Sequence, residues 1–156
     1  MKLVGKIFLI MFLFIVTGCG EKELLFTKDE IVKGKGDHSE KVETHRIKYM
    51  SGDLEIGGFF VVPRNRNKKY PVIIYNRGGN RNFGLVDRRV DYLEYLASRG
   101  YVVAASQYRG NIYSEGRDEY GGQDADDILN LIDKMKKLPY VDRKNIFMIG
   151  FSRGEL

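Results

Sequence analysis

The sequence predicts an α/β fold: an antiparallel hairpin, then a mostly parallel sheet with flanking helices. Three observations carry this. Continuous apolar runs at 71–75, 101–105 and 145–150 read as strands buried on both faces. Two segments of helical apolar period, 86–98 and 124–138, separate them. Two shorter β-rich runs, 44–50 and 54–62, stand ahead of them around the turn signal Ser51-Gly52-Asp53. Strand–helix–strand–helix–strand in this order is the pattern of parallel strands joined by crossover helices.

In chain order, Pro63 ends the hairpin and the polar run 64–69 is a loop. Pro71 to Tyr75 is the first buried strand. Val86, Val90, Leu93, Leu96 and Ala97 form the apolar face of the first helix, and Gly100 stops it. Tyr101 to Ala105 is the second buried strand. The second helix places Ile128, Leu131, Ile132, Met135 and Leu138 on one face. Asp124, Asp126 and Asp127 suit the positive end of its dipole, Lys134, Lys136 and Lys137 suit the other end, and Pro139 closes it. Asn145 to Gly150 is the third buried strand.

Residues 1–19, MKLVGKIFLIMFLFIVTGC, have the layout of an export signal. Lys2 and Lys6 give a positive start. Ile7 to Val16 is an apolar run about half the ~20 residues a membrane-spanning helix needs. Val16-Thr17-Gly18-Cys19 resembles a bacterial lipobox. That resemblance implies lipid on Cys19 as the mature N-terminus and anchorage of an exported protein to the cell membrane; two or more acyl chains hold where one is marginal. Residues 20–43 read as a tether and an irregular lead-in, and 44–156 as the folded sheet domain.

The 156 residues suffice for one core, and 43% hydrophobic with 30% charged is a globular composition. The net charge of +5 comes from scattered Lys and Arg, so it reads as a solvated surface and no nucleic-acid partner is expected. A lone cysteine excludes an intrachain disulfide and a cysteine zinc site. His38 and His45 are seven apart, off the i, i+4 spacing of a helical metal pair, and read as ordinary surface residues. No metal or cofactor is expected.

Chemistry enters where the third buried strand stops, at Gly150-Phe151-Ser152-Arg153-Gly154. This is G-x-S-x-G, the nucleophile elbow, in which a tight strand-to-helix turn strains the serine backbone and exposes its hydroxyl. The first buried strand runs into Asn76-Arg77-Gly78-Gly79-Asn80. Alone, Gly78-Gly79 reads equally as a plain turn. Beside an elbow, it offers backbone N–H groups at Gly79 and Asn80 to an oxyanion, with the N–H of Arg153 as the other donor.

The second buried strand is followed by Tyr108-Arg109-Gly110-Asn111 and Ser114-Glu115-Gly116. Then come Gly121-Gly122, Asp127 and Tyr140-Val141-Asp142. With the Gly-Gly loop and the elbow, this ordered set resembles the prolyl oligopeptidase family of serine peptidases and the related dienelactone-hydrolase-like esterases. The resemblance covers about 70–154. It implies the N-terminal half of an α/β-hydrolase fold, truncated after the nucleophile strand. It further implies acyl transfer through Ser152 on a peptide or ester, and a site-shaping role for Arg109, which otherwise reads as a surface arginine. Two departures stand out. Glu155 replaces a glycine common in the family, and no histidine follows Ser152, although the family order is Ser, Asp, His. The 156 residues alone are therefore expected to be inactive, with the third strand left as an open apolar edge. The alternative is a non-catalytic lipoprotein remnant or a binding-only pseudoenzyme. Oligomeric state is not legible.

Overall fold

The computed structural model describes residues 24–155; the segment read as an export signal and Cys19 lie outside them. Six strands form one sheet: β1 (Lys28–Val32), β2 (Val42–Ser51), β3 (Leu54–Pro63), β4 (Tyr70–Asn76), β5 (Val102–Ser106) and β6 (Val141–Gly150). Their spatial order is β1-β2-β3-β5-β4-β6. β1, β2, β3 and β5 pair antiparallel, and β4 pairs parallel with both β5 and β6. The helices are α1 (Val90–Ser98) and α2 (Asp124–Lys136). This is the α/β arrangement that the pattern predicts, and the partial α/β-hydrolase fold that the resemblance implies.

Strand alternation splits the sheet between two cores. Val72 and Ile74 of β4 face α2, joining Ile128, Leu131, Ile132 and Met135. Ile73 and Tyr75 face the other way, joining Val90, Leu93 and Ala97 of α1. A period of two on strands and 3.6 on helices makes one sheet with a helix on each face the way to bury both sets. β5, Val-Val-Ala-Ala-Ser, is wholly buried at the centre, where its small side chains let both helices approach.

Three expectations need correction. The stretch 20–43 is not wholly irregular, since Lys28–Val32 forms the edge strand β1. Its side chains are nearly all exposed, so no apolar alternation marks it; the backbone ladder and a few anchors, such as Phe26 stacked 5.5 Å from Phe60, hold it. The helix expected from 86 breaks at Arg89 into a single 3-10 turn, 86–88, followed by α1. Gln107 at the end of β5 fixes that turn, accepting from the Val86 N–H at 3.0 Å and donating to Asp87 at 2.7 Å. The face burial expected of β6 fails, since Phe147 and Met148 are about half exposed, but its place as the outer strand among the described residues matches the open apolar edge expected of it. Its inner edge pairs β4 through Val72–Ile146 to Asn76–Gly150, leaving its outer edge as the open one.

Candidate active site

The elbow forms at the carboxyl end of β6. Ser152 is exposed and has φ +53°, in the left-handed region that non-glycine residues rarely occupy. Both flanking glycines are required by close approach. A Cβ on Gly150 would lie 2.3 Å from the Gly154 carbonyl oxygen, and one on Gly154 would lie 2.2 Å from that of Asn76. The turn is closed by Gly154 N–H donating to Phe151 O at 2.9 Å, and Phe151 N–H reaches Asn76 O at 3.3 Å. The elbow therefore sits directly on the end of β4.

The Gly-Gly loop arrives at the same place. A Cβ on Gly78 would be 2.8 Å from Phe151 O and 3.4 Å from Ser152 Cβ, so this backbone lies against the Ser152 turn. Gly79 has φ +75° and folds back tightly over Phe83. Ser152 and Gly79 share a cleft of about 380 Å³ with Tyr75, Gly78, Phe83 and Phe151. Asn80 is exposed and follows Gly79 outside that lining.

Beneath the loop lies a polar network. Arg77 is fully buried, and its guanidinium donates to four carbonyls: Gln107 (2.9 Å), Gly78 (3.1 Å), Phe83 (2.9 Å) and Arg81 (3.1 Å). Burial lowers its pKa from the usual arginine value, the charge of Arg153 adding to the effect. The Arg153 side chain is also buried; it donates to Asp118 at 2.8 Å and to the Gly79 carbonyl at 3.2 Å, and it pairs with Asp124. Its guanidinium lies 5.1 Å from the Tyr108 ring and 4.9 Å from that of Tyr120. Tyr108 also carries Arg77 at 5.1 Å, and burial pushes its hydroxyl up to about 12, keeping it a neutral donor to Arg77 O. Burial opposes ionisation of Asp118, but Arg153 and the N–H groups of Arg81 and Tyr120 outweigh it and hold the carboxyl down at about 2.

Arg109 is not a surface arginine. It is buried beside α2, donating through Nη2 to Asp127 at 2.8 Å and through Nη1 to Gln123 at 2.9 Å, while its N–H also reaches Asp127. Asp127 accepts from Ser51 as well, so it joins the hairpin turn to the loop after β5. His45 is also buried, against expectation. It stacks 4.1 Å from Phe60 between two carboxylates, Asp29 at 2.6 Å and Glu43 at 2.9 Å. Three strands separate β2 from β6, which at the usual strand spacing is roughly 19 Å. His38 rests on Tyr95 of α1. Neither histidine lines the Ser152 cleft. Among the described residues no group of His, Cys, Asp or Glu is arranged to hold a metal, and no helix is long and apolar enough to cross a membrane.

Residues 89–156 match the model of the prolyl oligopeptidase family. The uncharacterized peptidase YtmA of Bacillus subtilis (strain 168) is 34% identical over 116 residues, 74% of this chain and 44% of the relative. The acylaminoacyl peptidase of Pyrococcus horikoshii superposes with TM-score 0.57 at 28% identity, over 73% of this chain and 20% of that one. An acetyl xylan esterase from a Paenibacillus species shares the fold, with TM-score 0.61 at 19% identity over 81% of this chain and 46% of that one. The chain thus spans less than half the length of these relatives. The family resemblance read from the motifs is confirmed, and the fold is that of α/β-hydrolases.

Sequence reasoning missed Arg77, Asp118 and the side-chain role of Arg153. Arg153 was singled out for its backbone alone. The available signal was charge placement: two arginines and two aspartates clustered around glycine loops at strand ends, where a solvated surface has no need of them.

Proposed function

We propose that this chain is the nucleophile-bearing part of an exported, lipid-anchored serine hydrolase that cleaves a peptide or ester by acyl transfer through Ser152. The observation that carries this is the exposed Ser152 at φ +53°, seated against Gly78 in the cleft it shares with Gly79. In the first step Ser152 Oγ attacks the substrate carbonyl carbon and the leaving group departs, giving an acyl-serine. Water then releases the acid. The N–H groups of Arg153, Gly79 and Asn80 stabilise the oxyanion of each tetrahedral intermediate. Arg109, tied to Asp127 and Gln123, shapes the loop after β5. The reading needs no metal or cofactor. Peptidases and esterases among the similar proteins support both substrate classes.

A serine hydroxyl is a poor nucleophile without a base, and a positioned base contributes roughly 10²–10⁴-fold. With neither His38 nor His45 lining the Ser152 cleft, the 156 residues alone should turn over p-nitrophenyl acetate negligibly. Fused to the remaining segment of the Bacillus subtilis relative, they should turn it over in a Ser152-dependent way. Equal turnover by the fusion and its Ser152→Ala variant would refute the nucleophile assignment. The anchor is tested by metabolic labelling with a fatty-acid analogue in a bacterial host. Cys19→Ser should abolish the label, and label that survives would refute lipidation at Cys19.

A further inference from the structure

Two of the proposed oxyanion donors, the N–H groups of Gly79 and Asn80, belong to peptides flanking a glycine, the residue whose backbone turns most freely. A trans peptide is planar, with its C=O and N–H pointing in opposite directions. Whatever holds the Gly78 carbonyl therefore aims the Gly79 N–H, and whatever holds the Gly79 carbonyl aims the Asn80 N–H. Both carbonyls are held by buried arginines: Arg77 Nη1 donates to Gly78 O at 3.1 Å, and Arg153 Nη1 donates to Gly79 O at 3.2 Å. We propose that Arg77 and Arg153 are positioning residues that lock these two successive peptide planes, so that the Gly79 and Asn80 N–H groups are aimed before substrate arrives. This rests on the reading of Ser152 as nucleophile.

The surroundings suit such a lock. Arg77 spends its whole fork on backbone carbonyls of the loop and of Gln107, a geometry that the point charge of a lysine cannot reproduce. Arg153 is fixed in turn by Asp118 and Asp124 and by the faces of Tyr108 and Tyr120. Asp118 Oδ2 also accepts from the Arg81 N–H at 2.6 Å, so one carboxylate grips both the lock and the far side of the loop. Tyr108 lies within 5.1 Å of both guanidiniums and joins them through one ring. The two cations are matched by the two aspartates. A cation bonded to a carbonyl also polarises the peptide and makes its N–H a stronger donor. Because Arg153 supplies the third donor from its own backbone, the elbow and the loop cannot drift apart without breaking its side-chain bonds.

The test uses the full chain, isotope-labelled, with a fluorophosphonate at alkaline pH. Ser152 Oγ forms a bond to phosphorus, fluoride leaves, and hydroxide takes the proton. Mass spectrometry follows the rate at Ser152, and NMR follows the Gly79 and Asn80 amides. In the wild type, phosphonylation should move both amide protons downfield as the phosphonyl oxygen accepts from them. Arg153→Met should slow labelling about 100-fold at saturating probe, leave half-saturation unchanged, and lose the Asn80 shift first. Arg77→Met should lose the Gly79 shift, and Arg153→Lys should recover part of the rate. Labelling of Arg153→Met at the wild-type rate with the Asn80 shift intact would overturn the lock. Wild-type labelling away from Ser152 would instead sink the nucleophile reading. Should the methionine variants not fold, the wild type still decides: the Nη protons of Arg77 and Arg153 should exchange slowly with solvent, and exchange as fast as in free arginine overturns the proposal.

Discussion

At one margin of the sheet, β1, β2 and β3 form an antiparallel ladder whose polar side chains pair near solvent. Lys48 meets Glu55, Lys28 meets Glu30, and Arg64 meets Glu43, each at least partly exposed. At the other margin, β6 leaves Phe147 and Met148 open while its tip is set among buried charged side chains: Arg77, Arg153, Asp118 and Asp124. These three pairs spend their charges where water already satisfies them, and such pairs contribute little to stability. The second buries charge at a cost that only full pairing offsets. That contrast teaches where conformational precision is kept: in the loops that meet Ser152, not in the ladder that carries the chain toward them.

The comparison breaks most sharply at Asp127, which serves both regions by accepting from Ser51 of the hairpin and from Arg109 of the loop after β5. Asp127→Ala leaves the buried Arg109 charge unpaired and should cost about 3–5 kcal/mol, read as a lowered urea midpoint. A smaller effect is expected from pH. Asp118 sits near 2 in the folded chain against an ordinary 3.8. Its contribution is therefore complete above the unfolded value and is lost as pH falls from there toward 2. The stability advantage of the wild type over Asp118→Asn should shrink across that window and stay level above pH 5; a constant difference would show that Asp118 is not the ionised anchor of Arg153. The smallest effect has the opposite sign. Ser152→Gly removes the proposed nucleophile but relieves a left-handed backbone, and should raise stability by about 1 kcal/mol, measured by thermal unfolding.

Much of this was legible in the sequence because it depends on periodicity. The apolar runs of β4 and β5 and the helical spacing of 124–138 are statements about buried faces, and the structure buries those faces. The elbow was legible because Gly150 and Gly154 admit no Cβ. β1 was not, because an edge strand held by its backbone carries no apolar alternation. His45 was not, because its burial depends on Asp29 of β1, Glu43 of its own strand and the ring of Phe60, a neighbourhood created by strand pairing. The same holds for Arg153, whose partners lie at positions 79, 118 and 124.

The edge strand β1 has a mechanical consequence. Any tension applied from the N-terminal side of residue 24 enters the domain through it. The first contact to bear the load is the Phe26 ring on Phe60, followed by Thr27 N–H to Lys48 O and the pair Lys28–Lys48, with Val32–Thr44 the last of the ladder. The five residues of β1 bury almost nothing, so peeling them away exposes little apolar surface and leaves the ten-residue ladder of β2 on β3 intact. β1 would act as a sacrificial link, yielding under a pull before the load reaches Lys35 and Gly36, whose N–H groups are held by Glu94 of α1.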